Sequence, residues 1–321
     1  MSRIAVVGAG AWGTALAIQA VRAGHRVTLV ARDSISAAAI DAKRENDRLA
    51  GLRLPDALEV SGDIPDAAGL LLWAVPTQHL RSSLLRLHPR KPAIVVCAKG
   101  VESGTRMLPL EVVRDVCDAG ALAVLTGPNF AHEVAMGLPA ATVVASVDAA
   151  LRDQVRATLG TSTFRLYGND DPIGAQLGGA AKNVIAIAAG AVIGAGLGEN
   201  ARAALVTRGL NEVRRLAVAL GGRAETVMGL SGLGDLLLTC TGLSSRNFSL
   251  GHALGRGQTL RAILASRSAV TEGVATASAL VVRAGTAVEL PICRAVADLL
   301  AGDKTLDEAI DQLMSRPQRD E

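Results

Sequence analysis

Aromatic side chains are scarce in this chain: tryptophan, tyrosine and phenylalanine make up only 2% of its 321 residues. Any core must therefore be packed from alanine, valine, leucine and glycine. Cysteine is equally sparse. Cys97, Cys117, Cys240 and Cys293 lie far apart and form no Cys-x-x-Cys pair, which argues against a disulfide scaffold or a structural zinc site. The five histidines (His25, His79, His88, His132 and His252) are isolated, so no metal is expected. No Gly-x-Ser-x-Gly elbow follows a strand, so a serine hydrolase has no support. Lysine and arginine are scattered without a polybasic run, and the net charge is only +3. Nucleic acid and stable membrane insertion are accordingly not expected. The first residues lack a basic, apolar and cleavable leader, and a reducing cytoplasm is the expected location.

Apolar residues account for 50% of the chain, enough for two cores at this length. Their pattern changes along the sequence. β-Branched runs at 4–7, 26–30, 70–75, 93–98, 122–126, 141–145 and 163–167 predict strands. Amphipathic stretches at 12–23, 78–87, 107–117 and 149–159 predict helices between them. Nearly continuous apolar strands with intervening helices describe a mainly parallel sheet covered on both faces. Beyond Tyr167 the period is helical only. The expected fold class is α/β: an N-terminal Rossmann doubly wound sheet over 1–170, followed by an all-α substrate domain over 171–321. The turn Asn169-Asp170-Asp171-Pro172 marks the boundary, and the polar tail 315–321 is expected to fray.

One stretch imitates a membrane span. Between Pro172 and Gly198 the only charge is Lys182, but seven glycines interrupt the run and no basic flank or aromatic belt accompanies it. A buried core helix is the better expectation.

The first predicted strand runs into Gly8-x-Gly10-x-x-Gly13, which opens a helix. In a dinucleotide site the first glycine permits a tight turn and the second admits a pyrophosphate. The third lets helix and strand pack closely, and the helix N-terminus offers free N–H groups. A structural βα turn and an S-adenosylmethionine site are the alternatives. After the second strand come Ala31-Arg32-Asp33. An acid there suits the ribose diol of NAD, whereas an arginine suits the 2′-phosphate of NADP. Arg32 comes first, which favours NADP with NAD as the alternative.

Ligands of doubly wound sheets lie beyond the carboxyl ends of the strands. The 93–98 strand leads to Lys99, a match for an anionic substrate. The 122–126 strand leads to Gly127, Pro128 and Asn129. Lys182 carries the sharpest signal, because a lone ammonium in an apolar run must be paired or lose its proton. A desolvated lysine can exchange a proton with an alcohol, and Asn183 beside it offers an orienting amide. Further on, Asp235 can position Lys182 or hold a substrate hydroxyl, and Arg246 can grip a phosphate with its planar fork.

Taken together, several stretches resemble bacterial NAD(P)-dependent glycerol-3-phosphate dehydrogenases. They are Val7-Gly-Ala-Gly-Ala-Trp-Gly-Thr-Ala-Leu16, Ala98-Lys-Gly-Val-Glu102, Thr126-Gly-Pro-Asn-Phe-Ala-His-Glu133, Gln176-Leu-Gly-Gly-Ala-Ala-Lys-Asn-Val-Ile-Ala-Ile187, Gly232-Leu-Gly-Asp-Leu236, Leu238-Thr-Cys-Thr241, Ser245-Arg-Asn247 and Thr271-Glu-Gly273. The likeness spans nearly the whole chain in order. It implies reversible reduction of dihydroxyacetone phosphate to sn-glycerol 3-phosphate for phospholipid synthesis, by a protein expected to be a homodimer. It also implies that Lys182 accepts the proton in oxidation, with Lys99, Gly127, Asn129, Asp235, Ser245, Arg246 and Asn247 around the substrate. Gly8, Gly10, Ala11, Trp12, Gly13, Arg32, Ala131, Val270 and Glu272 would line the cofactor, with Lys99 and Arg246 near both ligands. Ala11 and Asn129 stand where the family commonly has serine. The backbone N–H of Ala11 and the amide of Asn129 can still serve. The rivals are a related two-domain β-hydroxyacid dehydrogenase or ketopantoate reductase, and a non-enzymatic dinucleotide sensor.

Overall fold

The computed structural model describes residues 2–88, 91–267 and 270–315. Most of the tail expected to fray falls outside those residues. The chain folds as two compact units, one of Met1–Ala98 with Leu108–Ala175 and one of Lys99–Met107 with Gln176–Glu321. The short segment Lys99–Met107, embedded in the sequence of the first unit, thus belongs with the second.

Eight strands form the sheet of the first unit: β1 Arg3–Val7, β2 Arg26–Val30, β3 Leu58–Ser61, β4 Leu70–Trp73, β5 Ala93–Val96, β6 Leu122–Thr126, β7 Ala140–Ala145 and β8 Phe164–Asn169. Their order across the sheet is β3-β2-β1-β4-β5-β6-β7-β8. The strands β1 to β6 are parallel, β7 runs antiparallel to β6, and β8 is parallel to β7. Ile4 lies between Val27 and Leu70, and Val7 between Val30 and Trp73. The chain leaves β1 towards one edge and returns on its other side as β4, so the strand order reverses at β1. That reversal is where open α/β sheets bind their ligands.

Expectation and structure agree on the doubly wound pattern and differ in detail. The strands expected at 70–75 and 93–98 end earlier, at Trp73 and Val96. Strand β3 escaped the periodicity reading. It is a four-residue edge strand in which only Leu58 is buried, so it has no apolar run to detect. The helices Ser34–Lys43 and Ala131–Met136 are likewise absent from the periodicity. The first buries only Ala37 and the second is six residues long, so neither carries a strong apolar stripe.

Among the described residues no strand follows Asn169. The helix Pro172–Gly194 is long and apolar enough to cross a membrane, with mean hydropathy 1.5, yet 89% of its most apolar window is buried inside the protein. Its glycines serve packing. A Cβ on Gly190 would stand 2.0 Å from Phe248 O, and one on Gly251 would stand 1.9 Å from Ile187 O. The helices Pro172–Gly194 and Arg246–Gly255 therefore meet backbone to backbone. Close approach of this kind needs glycine on both faces, and it brings Asn247 to Asn183.

Candidate active site

In the first unit, the turn after β1 has the form a dinucleotide needs. Gly8 has φ +109° and lies against Ala74, where a Cβ would come within 2.7 Å of the carbonyl oxygen. A Cβ on Gly13 would fall 1.9 Å from Gly8 O. Gly10 differs, since a Cβ there would meet nothing within 4 Å. Two of the three glycines are therefore demanded by the protein's own packing, and the third faces open space. Gly10 is the N-cap of the helix Ala11–Arg22, whose first turn has neither an acidic residue nor a capping side chain. The N–H groups at the start of that turn and the helix dipole suit an anion. Asn46 steadies the loop by donating to Ala9 O at 3.0 Å and to Thr14 Oγ1 at 2.7 Å. The Trp12 indole N–H is buried and has no partner among the described residues. The residues present thus fit a bound dinucleotide.

At the end of β2, Ala31 is buried and the Arg32 side chain is 90% exposed, paired among the described residues only with Asp33 at 3.2 Å. Asp33 is spent locally. Its Oδ1 accepts from Ser36 N at 2.7 Å and caps the helix Ser34–Lys43. The carboxylate is thus held by a helix start, whereas the guanidinium is extended into solvent. Beyond β6, a Cβ on Gly127 would lie 3.0 Å from Thr142 Cα, so the backbone hugs β7 there. Asn129 donates to Ala141 O at 3.0 Å, which commits part of the donor capacity expected of it. Its Oδ1 is buried without a partner among the described residues, leaving an acceptor instead. Ala131 opens the short helix after it.

In the second unit, one carboxylate organises the site. Asp235 is fully buried and begins the helix Asp235–Cys240, directly after a turn of π-helix over Leu230–Gly234. Such turns displace side chains from the ordinary helical register and recur at functional sites. Lys182 Nζ donates to Asp235 Oδ1, and Lys99 Nζ donates to Asp235 Oδ2 at 2.5 Å. Lys182 Nζ also donates to Thr239 Oγ1 at 2.9 Å, while that hydroxyl donates to Asp235 O at 2.6 Å. Lys182 is 8% exposed. Burial pushes its ammonium down to about 8, with Asp235 opposing that shift and Lys99 adding to it. Two ammonium groups share one carboxylate, so the cluster keeps an excess positive charge when both are protonated. Next in the helix, burial pushes the Cys240 thiol up to about 12, which removes it as a nucleophile near neutrality.

A second chain of bonds sets the backbone around these groups. Asn183 Nδ2 donates to Lys99 O at 2.9 Å, Asn247 Nδ2 donates to Asn183 Oδ1 at 2.9 Å, and Gly273 N donates to Asn247 Oδ1 at 3.1 Å. Both ends of the Asn247 amide are thereby committed within the protein. Ser245 is likewise committed: its Oγ accepts from Phe248 N at 3.2 Å as the N-cap of Arg246–Gly255. Ser249 N to Ser245 O is the first bond of that helix, so the N–H groups of Arg246 and Asn247 lie ahead of its ladder, where anions bind. Val270 is exposed, and Glu272 is the first residue of the helix Glu272–Ala284.

The expected residues therefore fall into two groups. Gly8, Gly10, Ala11, Trp12, Gly13, Arg32, Gly127, Asn129 and Ala131 belong to the first unit. Lys99, Lys182, Asp235, Ser245, Arg246, Asn247, Val270 and Glu272 belong to the second. Within the second unit, Lys99 and Lys182 converge on Asp235. Sequence reasoning gave Asn46 no role, since an asparagine in a polar connection carries no distinguishing pattern. Among the described residues, no three His, Cys, Asp or Glu side chains gather as a metal site.

An open glycine turn at the switch point of a doubly wound sheet, followed by a helical unit with a buried lysine–aspartate cluster, defines a dinucleotide-dependent dehydrogenase architecture. The family models agree. The N-terminal model of NAD-dependent glycerol-3-phosphate dehydrogenase matches residues 3–152 and the C-terminal model matches residues 171–311. The chain belongs to the NAD-dependent glycerol-3-phosphate dehydrogenase family. It is 56% identical to the glycerol-3-phosphate dehydrogenase [NAD(P)+] of Acidiphilium cryptum, over 99% of this chain and 98% of that protein. It is 51% identical to the enzyme of the same name from Rhodospirillum rubrum, over 99% and 94%. The crystal structure of glycerol-3-phosphate dehydrogenase from Coxiella burnetii shares 37% identity and a TM-score of 0.93, covering 98% of this chain and 99% of that one.

Proposed function

We propose that this protein catalyses the reversible, NAD(P)H-dependent reduction of dihydroxyacetone phosphate to sn-glycerol 3-phosphate, a head-group precursor for phospholipid synthesis, in the cytoplasm and as a homodimer. The observation that carries this reading is Lys182, an ammonium buried on an apolar helix and pushed down to about 8. The names of relatives at about half identity over the full chain support the substrate and the cofactors.

In this reading, 1–170 is mainly the dinucleotide-binding domain and 171–321, joined by the segment Lys99–Met107, is mainly the substrate and catalytic domain. The dinucleotide, when bound, supplies a hydride to C2 of the ketone or takes it from the alcohol. Gly8, Gly10, Ala11, Trp12 and Gly13 would cradle its pyrophosphate, and Arg32 would meet the ribose end. Ala131, Val270 and Glu272 would also line it. Lys182 donates its proton to the oxygen developing on C2 during reduction and accepts the hydroxyl proton in oxidation. Two of its N–H directions are taken by Asp235 and Thr239. The third remains for the substrate oxygen. Because the Thr239 hydroxyl proton is directed to Asp235 O, it does not compete for the lone pair of the neutral amine.

The cationic excess of Lys99 and Lys182 over Asp235 stabilises the negative charge that builds on that oxygen. Arg246, with the first-turn N–H groups of Arg246 and Asn247, holds the phosphate, and that remote binding orients the reacting carbon. Gly127, Asn129 and Ser245 complete the substrate contacts. The decisive experiment follows NADPH absorbance with purified protein. A fall that requires dihydroxyacetone phosphate is expected, and it should not be reproduced by ketopantoate or a β-keto acid. Its absence would refute the reading.

A further inference from the structure

Lys99 stands on a segment that departs from the first unit and is bound into the second. Glu102 N donates to Met107 O at 3.0 Å and Arg106 N donates to Glu102 O at 2.9 Å. The Glu102 side chain accepts from Thr105 Oγ1, and Met107 N donates to the same hydroxyl at 3.2 Å. Glu102 through Met107 is thus a closed turn, cross-braced by one threonine and one buried glutamate. Val101, between Lys99 and this turn, is fully buried.

The turn ends in an unusual backbone. Arg106 has φ +62°, one of two non-glycine residues in the left-handed region among the described residues. Such a conformation persists only where its surroundings hold it. Arg106 is held from both sides: its N donates to Glu102 O at 2.9 Å within the turn, and Arg283 Nη1, from the helix Glu272–Ala284, donates to its O at 2.7 Å. The same helix begins at the bond from Gly273 N to Asn247, and Asn247 in turn bonds Asn183, which binds Lys99 O. The helix Glu272–Ala284 therefore grips the Lys99 segment at both ends. At the Lys99 end it acts through two asparagines, and at the Arg106 end through Arg283.

We propose that Arg283 is a positioning residue for Lys99. By fixing the closed turn Glu102–Met107 to the helical unit, it sets where the Lys99 ammonium is presented to the anionic substrate. It acts through a backbone carbonyl of that turn, Arg106 O. The inference rests on the reading of Lys99 as a substrate-binding group, and the experiment below separates the two.

The test is a double-mutant cycle with steady-state kinetics on Lys99→Ala, Arg283→Met and both together. Methionine keeps the aliphatic stem and removes the donor. For Arg283→Met we expect KM for dihydroxyacetone phosphate to rise about tenfold, with kcat within about threefold and NADPH affinity unchanged, as expected for loss of one charged hydrogen bond that acts through position. In the Lys99→Ala background the same change should add less than about twofold, because the group being positioned is gone. Thr105→Val, which loosens the turn from its own side, should repeat the pattern and serves if Arg283→Met does not fold. Near-normal KM in both Arg283→Met and Thr105→Val, or an equal loss with and without Lys99, would overturn the proposal. A Lys99→Ala protein with unaltered KM would instead sink the reading of Lys99 on which it rests.

Discussion

Lys182 and Asp235, 53 residues apart in sequence, are joined by a hydrogen bond from Nζ to Oδ1, with both side chains almost wholly removed from solvent. A buried ion pair of this kind is weak evidence for stability, since desolvation offsets much of the attraction. Its value here is chemical. Asp235 keeps the ammonium in place while burial and Lys99 lower its proton affinity to the range where a proton can be exchanged near neutral pH.

A pH dependence follows from that balance. With Lys182 at about 8, reduction, which needs the protonated form, should have a kcat/KM that is flat below that pH and falls above it. Oxidation needs the neutral amine, so its kcat/KM should rise towards the same pH and level off beyond it. Asp235 raises the proton affinity of Lys182, so Asp235→Asn should move both profiles to lower pH. Profiles measured in the two directions check the signs, and parallel rather than opposed limbs would exclude the role.

The three glycines of the first turn should behave differently from one another. Gly13→Ala places a methyl 1.9 Å from Gly8 O, and overpacking of that kind should destabilise the first unit by about 3 kcal/mol, visible as a lower Tm. Gly10→Ala meets no protein atom within 4 Å. Its cost to stability should stay under about 1 kcal/mol, the scale of an altered helix cap. It should nevertheless weaken dinucleotide binding by about tenfold or more, because that space is where a pyrophosphate would approach. Thermal unfolding paired with dinucleotide titration distinguishes the two. Normal affinity in Gly10→Ala would remove the turn from the binding site.

Arg32 should decide the cofactor. It is extended into solvent beside an Asp33 already occupied as a helix cap. Arg32→Ala should raise KM for NADPH by about tenfold, the loss of one charged contact to a phosphate. KM for NADH should change by less than about twofold, and Tm should not change. Equal effects on both cofactors would show that Arg32 does not read the 2′-phosphate.

Legibility in the sequence followed the physics of each element. Strands such as Arg3–Val7, buried from Ile4 onwards, and Leu122–Thr126 declare themselves as apolar runs, whereas Leu58–Ser61 at the sheet edge does not. Lys182 was conspicuous because a charge inside an apolar helix demands a reason. Its partners were less so. Asp235 was visible as a candidate, but periodicity says nothing about contacts between residues 53 or 136 positions apart, such as Lys182 with Asp235 or Lys99 with Asp235. Ser245 and Asn247 appeared as polar contacts for a ligand. The structure gives their side chains to a helix cap and to an asparagine relay, and the open N–H groups of that helix start are what remain for an anion. Asn46 and Arg283 act on carbonyl oxygens, and the sequence pattern of an ordinary asparagine or arginine does not reveal which carbonyl lies opposite.

The central claim is that Lys182 moves the proton. It is tested most directly by kcat of Lys182→Ala with saturating NADPH and dihydroxyacetone phosphate, alongside a dinucleotide binding titration. Loss of a positioned general acid–base group should reduce kcat by about 10²–10⁴-fold, with dinucleotide affinity essentially unaltered. Turnover within a few-fold of the unmodified protein would contradict the account.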